Sequence, residues 1–194
     1  MKKLLLTFAV FVLSTTFALY AQDEVKKLTE TDLANFKSRV KEKVESFQNH
    51  ISIIADKEQE MNRKDLAIKA ALRLFLGTAT METSSKSTDG RESKREMPMK
   101  EYLNRLKNLP FRTVKITSQD VCYISSIQPT PDGKYVATVT IYQLFEGCNS
   151  EGNCYRDYTK KELDVVIELK KDDFGEERWV IMLGNVRVTE TRRQ

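Results

Sequence analysis

Leu33, Phe36, Val40, Val44, Phe47, Ile51 and Ile54 follow one another at steps of 3, 4, 4, 3, 4 and 3. That spacing keeps one apolar stripe on one side of a helix and leaves the intervening Lys and Glu in water. The helix is expected from about Thr31 to Asp56, with Thr29 and Asp32 capping its start. Asn62 and Asp65 repeat the capping pattern ahead of a second helix that holds Leu66, Ile68, Ala70, Ala71, Leu72, Leu74, Phe75 and Leu76. Its apolar residues fall on more than one face, which predicts that it is the more deeply buried of the two, with Gly77 ending it in a left-handed turn. Thr78 to Met97 is polar, with Asp89-Gly90 near its middle, and reads either as a small exposed β-hairpin or as a plain loop. Pro98 suits the first position of a short third helix whose buried face is Met99, Tyr102, Leu103 and Leu106, and Pro110 stops it.

From Phe111 onward the period changes from helical to two. Four strands are expected, at about Arg112–Ile127, Lys134–Glu146, Tyr155–Lys171 and Arg178–Thr189. The third alternates most cleanly, with Leu163, Val165, Ile167 and Leu169 on one side and Asp164, Glu168 and Lys170 on the other. Pro131-Asp132-Gly133 and Asp172-Asp173-Phe174-Gly175 are turns that make neighbouring strands antiparallel. In the first strand Val114 and Ile116 have opposite parity to Val121 and Tyr123, and a bulge near Ser118–Asp120 would reconcile them and bend the sheet. The fold class is therefore α+β: two long N-terminal helices and a short third packed on a curved four-stranded antiparallel sheet, with a small extra hairpin. No internal repeat or linker divides residues 22–194, which read as one domain.

That order of elements resembles the nuclear-transport-factor-2-like fold, an α+β cone, from about Leu33 to Thr189. The runs Phe47-Gln48-Asn49-His50-Ile51-Ser52-Ile53-Ile54-Ala55-Asp56, Ile68-Lys69-Ala70-Ala71-Leu72-Arg73-Leu74-Phe75 and Met99-Lys100-Glu101-Tyr102-Leu103-Asn104-Arg105-Leu106 look like those of small exported bacterial proteins of this fold. The resemblance implies a sheet wrapped over the long helix, leaving an apolar cone that serves as an active site in some families and a binding pocket in others. It does not choose between them.

The N-terminus changes the picture of where the protein works. Met1-Lys2-Lys3 precedes an almost wholly apolar run from Leu4 to Leu19, about 24 Å of helix at ~1.5 Å per residue and short of a ~30 Å hydrocarbon core. Tyr20-Ala21-Gln22-Asp23 then gives a small residue followed by polar sequence, so residues 1–21 read as a signal peptide. A soluble periplasmic or secreted protein with no membrane anchor after cleavage is expected. Lys and Arg number 32, and without Lys2 and Lys3 they stand at +2 against 28 Asp and Glu, too little for an electrostatic grip on nucleic acid. One His in 194 residues excludes a multi-histidine metal site.

Cys148 and Cys154 flank a Gly/Asn-rich loop between two expected antiparallel strands, where opposed ends can meet at the ~5.5 Å a disulfide requires. An oxidising compartment favours that bond and leaves Cys122 as the odd thiol, read as a small core residue. No Cys-x-x-Cys pair, Gly-rich phosphate loop or His-Glu-x-x-His helix is present, and no metal or organic cofactor is expected. The candidate binding residues are Tyr142, Phe145, Tyr155 and Tyr158, which with Arg156 gather around the disulfide loop. They predict non-enzymatic binding of a partner protein at the loop end of the sheet, or of a small apolar ligand in the cone, with a homodimer through the sheet as a further assembly. The rival reading is a cone-fold enzyme doing acid–base chemistry with His50, or with Asp120 beside Tyr123 or Tyr142. A weaker rival is a cystatin-like protease inhibitor, because Gln143-Leu144-Phe145-Glu146-Gly147 and a later Trp179 resemble the cystatin wedge. Arg192-Arg193-Gln194 is expected to be a frayed tail.

Overall fold

The computed structural model describes residues 28–119 and 123–194. The expected signal peptide (residues 1–21), Asp120, Val121 and Cys122 lie outside the described residues. The first helix, α1 (Glu30–Ala55), begins with the expected reciprocal cap: the Asp32 N–H donates to Thr29 Oγ1 at 3.1 Å and the Thr29 N–H to Asp32 Oδ2 at 3.0 Å. Phe36, Val40, Val44, Phe47, Ile51 and Ile54 are all buried, as their spacing requires.

The second helix, α2 (Met61–Leu72), corrects three expectations. Its N-cap is Glu60, with no side-chain cap from Asn62 or Asp65. It is the shallower helix, since Leu66 is 65% exposed. It also ends before Leu74, without a left-handed turn at Gly77. The chain leaves the helix there because Leu74 O and the Leu76 N–H both bond Leu183, each at 2.8 Å. That exchange lays Phe75 beside the sheet and brings its ring to 4.7 Å from Phe47, edge to face. Sheet hydrogen bonds plus a buried aromatic pair outweigh one further helical turn.

A hairpin forms as β1 (Thr80–Lys86) and β2 (Glu92–Pro98), with Gly90 at φ 84° in its turn. Then follow α3 (Met99–Lys107), β3 (Thr113–Ser118), β4 (Tyr123–Ile124), β5 (Gln128–Pro129), β6 (Tyr135–Cys148), β7 (Cys154–Lys171) and β8 (Glu177–Arg193). The sheet is thus neither four-stranded nor wholly antiparallel. Among the described residues it has eight strands in the order β2-β1-β8-β7-β6-β3, with β4 and β5 also on β6, and β1 joins β8 in parallel at Met81↔Val186. The hairpin is an extension of the sheet, because a buried Met81 seals against the core there.

The first expected strand is broken into β3 and β4, and β5 follows just beyond its expected end at Ile127. Ser118 pairs with Gln143 and Tyr123 with Thr140, so the β3–β4 side carries two more residues than β6 between those points. Two extra residues preserve parity: Ile124 turns inward beside Val114 and Ile116, while Tyr123 is 63% exposed. Register also shifts twice between β7 and β8, at Lys160/Lys161 and at Leu163/Val165. Such bulges coil a sheet. One cavity is touched by β2 at one edge and β3 at the other, which a flat sheet with strands ~4.8 Å apart could not allow. The helices sit inside that curl, as the resemblance implies.

Trp179 closes the other end of the core, 6.2 Å from Phe36 and 5.5 Å from Tyr135 by ring centroid. The chain end is not frayed: β8 runs to Arg193, and the Gln194 N–H donates to Arg156 O at 3.1 Å. Cys148 and Cys154 are bonded and face each other across β6 and β7 with Cα atoms 4.1 Å apart. The Asn149 N–H to Asn153 O bond just beyond them marks a non-hydrogen-bonded pair, the type in which Cα atoms approach closest.

Two stability measurements follow. Phe47→Ala removes a fully buried ring that joins α1 to Phe75, and urea unfolding is expected to show a loss of about 3–5 kcal/mol. Replacing Cys148 and Cys154 together by Ser is expected to cost roughly 2 kcal/mol in the same assay, because the loop they close is short.

Candidate functional site

The inner face of the sheet changes character along its strands. On β7 it runs from Ile167, Val165 and Leu163, all buried and apolar, to Lys161, Thr159 and Asp157, all buried and polar. On β6 it passes from Val139 and Ile141 to Gln143, and on β8 from Val186 and Val188 to Thr191. These changes occur at one level, since Lys161 is paired with Ile141 and Val188, and Thr159 with Gln143 and Thr191. The apolar half joins the stripe of α1 in the core. The polar half becomes the floor of a cavity of about 390 Å³.

Apolar side chains wall this cavity: Leu106 of α3, Leu109 and Phe111 after it, Ile116 of β3, Phe145 of β6 and Met97 of β2. The Ser84 and Thr83 side of β1 and the exposed Arg105 complete the rim. Lys57, just past α1, holds this wall in place by donating from Nζ to Leu109 O at 2.6 Å. Gly147 permits the Phe111 position: a Cβ there would lie 2.7 Å from the ring. A wider groove of about 700 Å³ beside Asp56, Lys57, Arg112 and Lys115 is walled by charged, solvated side chains and offers no comparable apolar lining.

The floor is electrostatically unusual. Lys161 is 5% exposed, and its Nζ donates to Gln143 Oε1 at 2.6 Å. Among the described residues no carboxylate lies within 4.0 Å of it. Burial pulls the ammonium down to about 8, with the charge of Asp157 pulling the other way. Burial pushes the Asp157 carboxyl up, opposed by the nearby Tyr155 hydroxyl and by the charge of Lys161. The Tyr155 phenol is pushed up to about 12, chiefly by desolvation. Its oxygen accepts the Lys86 N–H at 3.2 Å, and the Arg193 guanidinium sits 5.4 Å from its ring centre. Ser84 hydrogen-bonds Thr191, whose hydroxyl reaches Glu92 at 3.2 Å.

The four expected binding residues do not share a surface. Phe145 and Tyr155 point inward, line the cavity and lie 6.1 Å apart by ring centroid. Tyr142 and Tyr158 point to the opposite face, where their rings stack at 5.5 Å and 15°. Odd and even positions of paired strands must part in this way. The parity was readable from the sequence, and so was the alternation that places Asp157, Thr159 and Lys161 in line with Leu163. Their burial was not readable, because a run of Asp, Thr and Lys reads as a wet face.

His50 is half-buried on α1, 3.4 Å from Ser46 Oγ through Nε2, with its pKa lowered by burial, and it does not line the cavity. Asp120 lies outside the described residues. The Gln143–Gly147 run is no exposed wedge. It lies within β6, paired on one side to β3 and on the other to β7, with Gln143 buried. Among the described residues, no cluster of three or more His, Cys, Asp or Glu could hold a metal.

No family model matches the chain, and no curated protein matches it. Among solved structures it is similar to a hexachlorocyclohexane dehydrochlorinase (LinA) of type 2, over 84% of this chain and 93% of that one, at 14% identity and a TM-score of 0.41. It is also similar to ActVI-ORFA from Streptomyces coelicolor, over 78% of this chain and 96% of that one, at 14% identity and a TM-score of 0.39.

Proposed function

We propose that this chain is an exported binding protein whose cavity takes a small, largely apolar molecule carrying one polar head. The observation that carries the reading is an apolar-walled cavity of about 390 Å³ that ends on a buried lysine with, among the described residues, no carboxylate within 4.0 Å. The volume lies within the range of small-molecule sites, and the pattern of apolar walls with a few convergent polar groups is theirs. A purely structural position would favour an aliphatic residue, since an unpaired buried cation costs stability. The Cys148–Cys154 disulfide is compatible with export, as is the fact that no described helix is long and apolar enough to cross a membrane.

Acid–base catalysis at the same floor is a second reading. Burial moves Lys161 down and Asp157 up, which brings both towards neutral pH, the shift expected of proton-transfer groups. It puts Lys161, Asp157 and Tyr155 in place of the separate candidates His50 and Asp120.

Displacement of a fluorescent apolar probe from the purified chain tests the pocket. Leu109→Trp fills it and is expected to abolish displaceable binding, whereas unchanged binding would refute the site. Lys161→Met is expected to weaken a ligand with a polar head about ten- to a hundredfold, the worth of a hydrogen bond to a charged group, and to spare an unsubstituted hydrocarbon.

The same variant is expected to be more stable than the parent at pH 7. Lys161 titrates near 8 when folded and near 10.5 when unfolded, so between those values the unfolded chain binds the extra proton. Parent stability should therefore rise relative to Lys161→Met from pH 8 towards 10.5. Parallel urea unfolding curves across that range check it, and a constant difference would contradict it.

A further inference from the structure

We infer that the Lys161 side chain is a carbonyl-capturing amine, which forms a reversible imine with an aldehyde or ketone bound in the cavity. The inference rests on the pocket being a ligand site and adds the ligand's reactive group.

Three features of the floor support it. First, the nitrogen is buried in the cavity wall, hydrogen-bonded to a neutral amide oxygen at 2.6 Å, with no carboxylate within 4.0 Å among the described residues. An amine held this way gives up its proton more readily than a solvated one, and the neutral amine is the nucleophile. Second, Asp157 is close enough on the same face of β7 for its charge to act on Lys161, and burial favours its protonated form. It can therefore give and take the protons that imine formation needs. Third, the Tyr155 hydroxyl, held by the Lys86 N–H at 3.2 Å, lines the same cavity beside Asp157 and acts on its carboxyl.

The step balances without an oxidant or reductant. The Lys161 nitrogen attacks the carbonyl carbon, and the π pair moves to oxygen, which takes a proton from Asp157. The nitrogen then returns a proton to Asp157. The hydroxyl leaves as water with that proton, the C=N bond forms, and the iminium N–H returns its remaining proton to Asp157. One carbonyl and one amine give one imine and one water. The apolar walls exclude bulk water, which otherwise drives the reaction backward.

Burial and the charge of Asp157 set the protonation of Lys161. The other titratable or charged groups lining the cavity are Tyr155 on its own strand and Tyr102 and Arg105 on α3, while Glu92 accepts from Thr191 behind Ser84. Complete burial pushes the Tyr102 phenol far above its usual range, so it stays neutral.

The test uses the whole purified chain with 3-phenylpropanal and sodium cyanoborohydride, which reduces any imine to a stable secondary amine. Peptide mass mapping then locates the adduct. At pH 8 the labelled fraction at Lys161 is expected to exceed that of the average surface lysine at least tenfold. Excess 3-phenylpropanol, which can fill the cavity but cannot form an imine, should suppress it, and so should Leu109→Trp. Lys161→Arg should lose the selective adduct. The labelling rate should rise with a midpoint near 8, where an exposed lysine would show one near 10.5. Uniform labelling of all lysines, with 3-phenylpropanol still displacing the fluorescent probe, overturns the imine and leaves the pocket standing. Uniform labelling with no displacement by the alcohol overturns both.

Discussion

The sheet reaches further than the helix that fills it. β7 has 18 residues, about 60 Å of strand at ~3.3 Å per residue, whereas α1 has 26 residues and about 39 Å at ~1.5 Å. The stripe from Phe36 to Ile54 can seal only part of the inner face. The remainder has to be covered by α3, the Leu109–Phe111 segment and the hairpin, which meet it from the side and leave a gap. The cavity follows from that mismatch in length, and the bulges that curl the sheet close it from both edges.

The residues under the gap show how the mismatch is used. Where α1 covers the strands, the inward positions are Leu163, Val165 and Ile167, with no polar atom to satisfy. Where it does not, they are Asp157, Thr159 and Lys161, and Gln143 answers them from β6. Desolvating a cation costs several kcal/mol unless a partner compensates. Keeping one in this wall, hydrogen-bonded to the neutral amide of Gln143, sets stability against chemistry. The outer face of the same strands has no such conflict: Asp164 and Arg187 meet there in two hydrogen bonds of 2.5 Å in the solvent, and Tyr142 stacks on Tyr158.

Several small constraints hold the pocket wall in position. The disulfide ties the tips of β6 and β7 just beyond Phe145 and Tyr155. Lys57 anchors the turn after α3, and the bare Gly147 lets Phe111 lie flat against β6. The C-terminal Arg193 covers Tyr155 and donates to Lys86 O at 3.4 Å, so the last strand also closes the site. Read along the chain, these residues are a lysine, a glycine and a basic tail. Only their position in space gives them a role.

Periodicity determined the two amphipathic helices' existence, the short third helix, the change to strands after Phe111 and the three long strands, and the Gly/Asn-rich loop between two of those strands pointed to the Cys148–Cys154 pair. Those features depend on contacts local in sequence, or on turns whose residues state their geometry. The eight-stranded order, the parallel joining of β1 to β8, the early end of α2 at Leu72 and the inward turn of Asp157, Thr159 and Lys161 belong to the tertiary structure. Each depends on a partner far away in the chain: Leu183 takes the backbone bonds of Leu74 and Leu76, and Val186 meets Met81. A polar residue's alternation shows which way it points. Whether that direction leads into water or into a cavity floor depends on what the rest of the chain lays over it.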